Sequence, residues 1–314
     1  MLKVIFFGTP QFSADVLDYL LQQGIDICAV VTRIDTPKKR SKKLLPPPVK
    51  ILLEEKYPNI PILQPVKTSE PDFQAQLESF QADMFVFVAY GKIVGRKILN
   101  MPKLDCINLH TSLLPKFRGA APIQRSIMEG ETETGATVMH MVFEMDAGNI
   151  ISQEKVLIPP NMTLRELEQA LCSKGKVLLK DIIGKFKDPN LPKIVQDESL
   201  VTFAPKVELE DSLLDWNKSA TKVYDTYRGT TPTPGSWCQA NIKGQNKRLK
   251  IIRCTKIDLE HNQKPGTILE YDKNGITIAC QTNAIIVTEL QPEGKRPMLS
   301  RDFVNGIQAS EIIF

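Results

Sequence analysis

Asn108 and His110 stand two positions apart at the end of the apolar run CINLH, and Asp146 follows in MDAGN. Residues two apart in a strand project from the same face, so the Asn108 amide and the His110 imidazole can face one ligand atom. An amide N–H and an imidazolium N–H converging on a carbonyl oxygen stabilise the oxyanion of a tetrahedral intermediate. The imidazole can also pass a proton between an attacking and a leaving nitrogen. A neighbouring carboxylate favours the charged imidazole and helps remove a proton from the nucleophile. Asp146, in a Gly-containing turn after a strand, is the best-placed carboxylate. Each residue alone has a plainer reading. A strand-end His is often bonded into the structure, an Asp in Asp-Ala-Gly often bonds its own backbone, and Leu113, Leu114 and Pro115 fit strand-exit packing. The argument for a site is their clustering in an otherwise apolar region.

These groups need elements to hold them. Residues 3–7, 25–32, 84–89 and 106–109 are short β-branched or aromatic apolar runs, as expected of parallel strands buried on both faces. Residues 10–21 place Val16, Leu17, Leu20 and Leu21 on one helical face, and residues 48–56 and 70–80 are further helix candidates. This alternation predicts an α/β fold with a doubly wound, Rossmann-like sheet, whose ligands bind beyond the carboxyl ends of the strands. The turn FFGTPQF lacks the second and third glycines of the dinucleotide fingerprint, so a dinucleotide site is disfavoured. Beyond Leu109, residues 136–158 read as two strands joined by Asp-Ala-Gly-Asn, and residues 163–187 as a long helix. Residues 189–205 contain prolines and little periodicity, which suits a linker between a catalytic domain over 1–188 and a second domain over 206–314. That second domain has short strands separated by turns such as Lys-Pro-Gly and Lys-Asn-Gly, the pattern of a small C-terminal β-barrel that could be of the OB type.

Composition bounds the class. The chain has 314 residues, 42% hydrophobic and 24% charged, which fits two globular domains, and no apolar stretch reaches the length of a membrane helix. The N-terminus reads as a buried first strand rather than a signal peptide, so a cytoplasmic protein is expected. Six dispersed cysteines without a C-x-x-C pair read as reduced core residues, and with three histidines no metal site is expected. The net charge of +4 is small, but its distribution is uneven. Residues 33–43 hold six basic residues against Asp35, and residues 226–257 hold seven with no acid, two patches that could face one polyanion.

Asn108-x-His110, Ser112-Leu113-Leu114-Pro115, RGAAPIQ from Arg118 and MDAGNI around Asp146 together resemble the formyltransferases that use 10-formyltetrahydrofolate. The resemblance continues through FFGTPQF, VAYGKI, VTFAPKV, Asp215-Trp216, PTPGSW and PGTI, and so covers nearly the whole chain. Within that group it is to the branch that formylates the α-amino group of methionine carried on initiator tRNA. It implies Asn108, His110 and Asp146 as catalytic residues and 10-formyltetrahydrofolate as formyl donor. The implied folate wall is Val88, Ala89, Tyr90, Gly91 and Ile93, whose backbone would meet the pterin, together with Ser112, Leu113, Leu114 and Pro115. The implied tRNA contacts are Arg40, Lys42 and Lys43 on a long loop, and Lys243, Lys247, Arg248, Lys250 and Arg253 on the barrel. No metal is implied, and a monomer is expected. His140 is read as structural. The alternatives are a 10-formyltetrahydrofolate hydrolase, a sugar-nucleotide formyltransferase, and a non-catalytic RNA-binding protein, the last of which leaves Asn108, His110 and Asp146 unexplained.

Overall fold

The computed structural model describes residues 1–37, 44–305 and 312–314. The run KVIFFG forms β1 (Lys3–Gly8), buried everywhere after Lys3, as a strand covered on both faces must be. The chain continues through α1 (Gln11–Gln22) and β2 (Asp26–Val31) to the two-residue strands β3 (Thr36–Pro37) and β4 (Leu44–Leu45), which pair with each other. Then come α2 (Pro48–Lys56), β5 (Ile62–Leu63), α3 (Pro71–Ser79), β6 (Met84–Val88), the single turn α4 (Arg96–Leu99) and β7 (Asp105–His110). After α5 (Pro122–Met128), β8 (Glu133–His140) and β9 (Ile150–Leu157) form a hairpin, and α6 (Leu164–Lys185) follows.

The sheet order is β5-β2-β1-β6-β7-β8-β9. The five strands from β5 to β7 are parallel, whereas β8 and β9 add antiparallel at one edge. From β1 the chain moves to β2 and β5 on one side, then returns to β6 and β7 on the other. The reversal leaves a crevice outside the carboxyl ends of β1 and β6, beside the end of β7. One face of the sheet packs Ile5, Phe7, Phe85 and Phe87 with Phe73 and Leu77 of α3. Each such side chain contributes about 1.5–3 kcal/mol by leaving water. Leu21, expected on the buried face of α1, is only half-buried, and Phe12 takes the deeper place.

The chain divides into two compact units at boundaries that differ from the expected ones. The first comprises residues 1–122, 133–157 and 167–204, and the second 123–132, 158–166 and 205–314. Residues 189–205, read as a linker, therefore belong to the first unit almost entirely. Ile194 bridges Ile150 at the edge of the sheet, Phe203 bridges Arg118, and Gln196 and Ala204 are buried. Irregular backbone pinned by pairing has no hydrophobic period, so composition made it look free. The second unit takes α5 from the expected catalytic domain, because Met128 packs against Gly229 and its carbonyl accepts from Lys222 Nζ at 2.6 Å.

The second unit contains α7 (Ala220–Thr230), β10 (Trp237–Ile242), β11 (Gln245–Ile257), β12 (Ile268–Asp272), β13 (Gly275–Ala279), β14 (Ala284–Pro292), β15 (Met298–Leu299), α8 (Ser300–Asn305) and β16 (Ile312–Ile313). Its strand path, β12-β13-β14-β11-β10-β16, is antiparallel throughout. Phe314 N–H donates to Gly266 O at 3.1 Å, bringing the two ends of that path together into a nearly closed barrel. The barrel core joins Cys238, Leu249, Ile251, Ile276, Ile285 and Val287 to Val223 and Tyr224 of α7 and Phe303 of α8. No helix among the described residues is long and apolar enough to cross a membrane.

Candidate active site

β7 carries Asn108 and His110 on one face by strand alternation, pairing with Phe87 on one side and with Met139 and Thr137 on the other. Asn108 is half-buried, and His110 is 6% exposed. His110 Nε2 lies 2.9 Å from the Phe117 carbonyl oxygen. A carbonyl only accepts, so Nε2 carries the hydrogen and Nδ1 is the nitrogen left to exchange a proton. Asp146 Oδ2 stands 3.7 Å from that Nδ1 and also accepts the Gly119 N–H at 2.8 Å. The structure thus brings His110 and Asp146 together, with Asn108 two positions back on the same face.

The local backbone is bent to achieve this. Ala89, Phe117 and Asp146, on three loops of the site, have φ of 45°, 61° and 51°. Non-glycine residues rarely occupy this region, and functional loops are where they collect. Gly148 must be glycine, because a Cβ there would lie on the His140 carbonyl.

The expected ligand wall divides into exposed and occupied parts. Ala89, Gly91 and Ile93 are exposed, and Leu113 and Pro115 are half-buried. Val88 is fully buried and its carbonyl accepts the Ser13 hydroxyl. Tyr90 turns inward, its ring edge-on to Phe7 at 5.5 Å, and burial pushes its hydroxyl up to about 12, too high for proton transfer at neutral pH. Ser112 is fully buried and donates to the Lys116 carbonyl at 2.6 Å, which closes its own turn. Leu114 is 3% exposed and contributes packing. A candidate folate surface is therefore the backbone and short side chains of 89–93 with Leu113 and Pro115.

Several supporting residues carried no sequence signal. Gln153 Nε2 donates to Leu114 O and Thr137 Oγ1, both at 2.9 Å, and Thr137 donates to Ser112 O at 2.6 Å, which pins the 112–116 turn onto the β8–β9 hairpin. Thr137 is buried on β8, whereas Gln153 is exposed on the edge strand β9, so only Thr137 offered a hint, as a polar residue in an apolar run. Cys106, on β7, donates to Leu99 O, and burial raises its thiol well above the ordinary value, which makes it a poor nucleophile. His140, read as structural, pairs through Nδ1 with Asp105 at 2.7 Å.

Of the expected basic contacts, Arg40, Lys42 and Lys43 lie outside the described residues. Lys243 occupies the tight β10–β11 turn with Gly244. Lys247, Arg248 and Lys250 follow on β11, with the Arg248 guanidinium 4.3 Å above the Trp237 ring and Lys250 opposite Trp237 in register. Arg253 lies past a bulge, paired in register with Glu289. Among the described residues no cluster of three His, Cys, Asp or Glu side chains is placed to hold a metal ion.

The strand-end Asn-x-His and the carboxylate beside it lie inside residues 2–183, which match the formyl transferase family model, while 206–308 match the model of the formyl transferase C-terminal domain. The chain belongs to the formyl transferase family. It is 48% identical over 313 residues to the methionyl-tRNA formyltransferase of Protochlamydia amoebophila, covering 100% of this chain and 98% of that one. Identity to the methionyl-tRNA formyltransferase of Chlamydia caviae is 44% over 309 residues, covering 97% and 95%. Among solved structures, the N-formyltransferase of Helicobacter canadensis in complex with folinic acid and dTDP-3-aminofucose matches with TM-score 0.67 at 19% identity, covering 93% of this chain and 100% of that chain. That last likeness is one of fold. The domain boundaries of this formyl transferase are less simple than a two-part division of the chain, because α5 and residues 158–166 pack with the barrel.

Proposed function

We propose that this formyl transferase moves the formyl group of 10-formyltetrahydrofolate onto the α-amino group of methionine esterified to initiator tRNA. The observation that carries the reading is the His110–Asp146 pair at 3.7 Å, beside Asn108, in a chain 48% identical to a methionyl-tRNA formyltransferase. An α-amino group has a pKa of about 7.7–8, and an adjacent ester lowers it, so much of it is neutral at pH 7. The amine attacks the formyl carbon, and the carbonyl electron pair moves onto oxygen. Asn108 N–H donates to that oxygen, and His110, when protonated at Nδ1, supplies a second donor. The ammonium formed by attack gives up a proton, and the departing folate nitrogen takes one. His110 Nδ1, with Nε2 committed to Phe117 O, is the site through which such a proton passes, and the Asp146 carboxylate stabilises the imidazolium between the two transfers. Exposed Ala89, Gly91 and Ile93, with Leu113 and Pro115, suit the flat donor. Arg248 and Lys250, beside Trp237, suit the phosphate backbone of the acceptor, with Lys247 next to them on β11.

The same reading takes the enzyme to be a cytoplasmic monomer, which sedimentation of the purified chain checks. The test of function is transfer of radiolabelled formyl from 10-formyltetrahydrofolate to methionine-charged initiator tRNA, with uncharged and charged elongator tRNA as controls. Transfer confined to charged initiator is expected. Formate release without transfer would make the protein a hydrolase, and transfer to an amino sugar nucleotide alone would make it a sugar formyltransferase.

A further inference from the structure

Gln196 lies in the segment that composition reads as a linker, yet its side chain is 5% exposed and every hydrogen-bonding position of its amide nitrogen is used. Nε2 donates to the Asp146 carbonyl and to the Gly148 carbonyl, both at 2.7 Å. Oε1 accepts from Arg118 Nε at 3.0 Å. Arg118 is itself 5% exposed and bonds Glu198 through NH2 at 2.8 Å, while its backbone N–H donates to Thr202 O and its carbonyl accepts from Ala204 N–H. The residues on either side of Arg118 meet the catalytic pair directly. Phe117 O receives His110 Nε2, and Gly119 N–H donates to Asp146 Oδ2. A closed circuit therefore runs His110, Phe117, Arg118, Gln196, Asp146 and back to His110, and Gln196 is its one link between the 117–119 loop and the backbone of the Asp146 turn.

The turn needs such a link. Asp146 has φ of 51°, a region that Asp enters more readily than most side chains but that is still uncommon, and the hydrogen bonds that close the turn, Ala147 N–H to Glu144 O and His140 N–H to Asn149 O, do not use the Asp146 or Gly148 carbonyl. Two carbonyls two residues apart, held by one buried amide, fix the orientation of the 146–147 and 148–149 peptides. The direction of the Asp146 side chain follows from that orientation. We propose that Gln196 is a positioning residue for formyl transfer, which aims the Asp146 carboxylate at His110 Nδ1 without touching either substrate. The inference rests on the proposed roles of Asp146 and His110.

Gln196→Glu keeps the size of the side chain and an acceptor for Arg118, but sets a carboxylate oxygen against two carbonyl oxygens. Gln196→Ala removes all three contacts. Both variants should lower kcat at least about 10-fold, the scale of a displaced catalytic group, with KM for folate and for charged tRNA within about threefold. The deciding readout is a double-mutant cycle with Asp146→Asn. If Gln196 acts through Asp146, Gln196→Ala should cost less than about twofold more in kcat once Asp146 is Asn. Independent multiplicative losses, unchanged kcat in both single variants, or a loss confined to KM would overturn the inference. Failure of both variants to fold would overturn it too, by making Gln196 a residue the fold requires. If the parent enzyme does not transfer formyl, or Asp146→Asn alone is fully active, the underlying reading of the site fails instead.

Discussion

Asp146→Asn exchanges one carboxylate oxygen for an amide nitrogen and keeps an oxygen that can accept the Gly119 N–H. The turn should survive, and what is lost is the negative charge 3.7 Å from His110 Nδ1. A charge pair at that distance interacts by about 4.5 kcal/mol at an effective dielectric constant of 20 and about 1.1 kcal/mol at that of water. The side chains are 6% and 15% exposed, which places the pair between those limits and nearer the protein value. At about 1.4 kcal/mol per tenfold, the loss of an imidazolium counter-charge should lower kcat by about 300-fold, within outer limits of about sixfold and 2,000-fold. Single-turnover formyl transfer at saturating folate and charged tRNA measures this, with equilibrium binding of each substrate as control. Binding should change less than threefold. A variant with kcat within twofold of the parent would refute the argument, since the charge would then have no role in the barrier. A large loss accompanied by loss of folate binding would refute it differently, by showing that Asp146 holds the donor rather than the imidazolium.

Asp225 and Arg228 form a buried pair at 2.6 Å, and Arg228 also donates to Met162 O, so Asp225→Ala leaves an uncompensated buried guanidinium. Urea unfolding should show a loss of about 3–5 kcal/mol, and a loss under 1 kcal/mol would mean that water already reaches the pair. Lys250→Ala should reduce the salt dependence of tRNA binding by about 0.7–0.9 in log–log slope. Arg253→Ala should leave that slope unchanged, because Glu289 faces Arg253 in register. Hydrogen bonds from Gln64 and Lys50 hold the Asp35 carboxyl below its ordinary value. Such a group stabilises the fold above its unfolded pKa, and the contribution disappears as pH falls through the folded value. Asp35→Asn should therefore lose less stability than the parent as pH falls below the ordinary carboxylate range, and parallel acid-unfolding curves would refute the assignment.

The amino-acid sequence by itself determined the parts of this enzyme that repeat with a short period. Buried parallel strands read as continuous apolar runs, so β1, β2, β6 and β7 could be placed. Once β7 was placed, a period of two put Asn108 and His110 on one face at a strand end. Tertiary structure decided everything that depends on distant segments meeting. Nothing local says that residues 141–149 fold back to bring Asp146 to His110 Nδ1, or that Phe117 O takes the other nitrogen and so selects the proton-bearing one. Ser112 and Tyr90 sit in the resembling motifs, and that both side chains are buried became visible only in the folded chain. Gln196 was the least legible. It lies in an aperiodic, proline-containing stretch that is held down on either side by the backbone bridges of Ile194 to Ile150 and of Phe203 to Arg118, rather than by any hydrophobic pattern of its own. Periodicity reports what a segment buries along its own length. A side chain that works by joining two other loops has no such record, and only the folded chain reveals it.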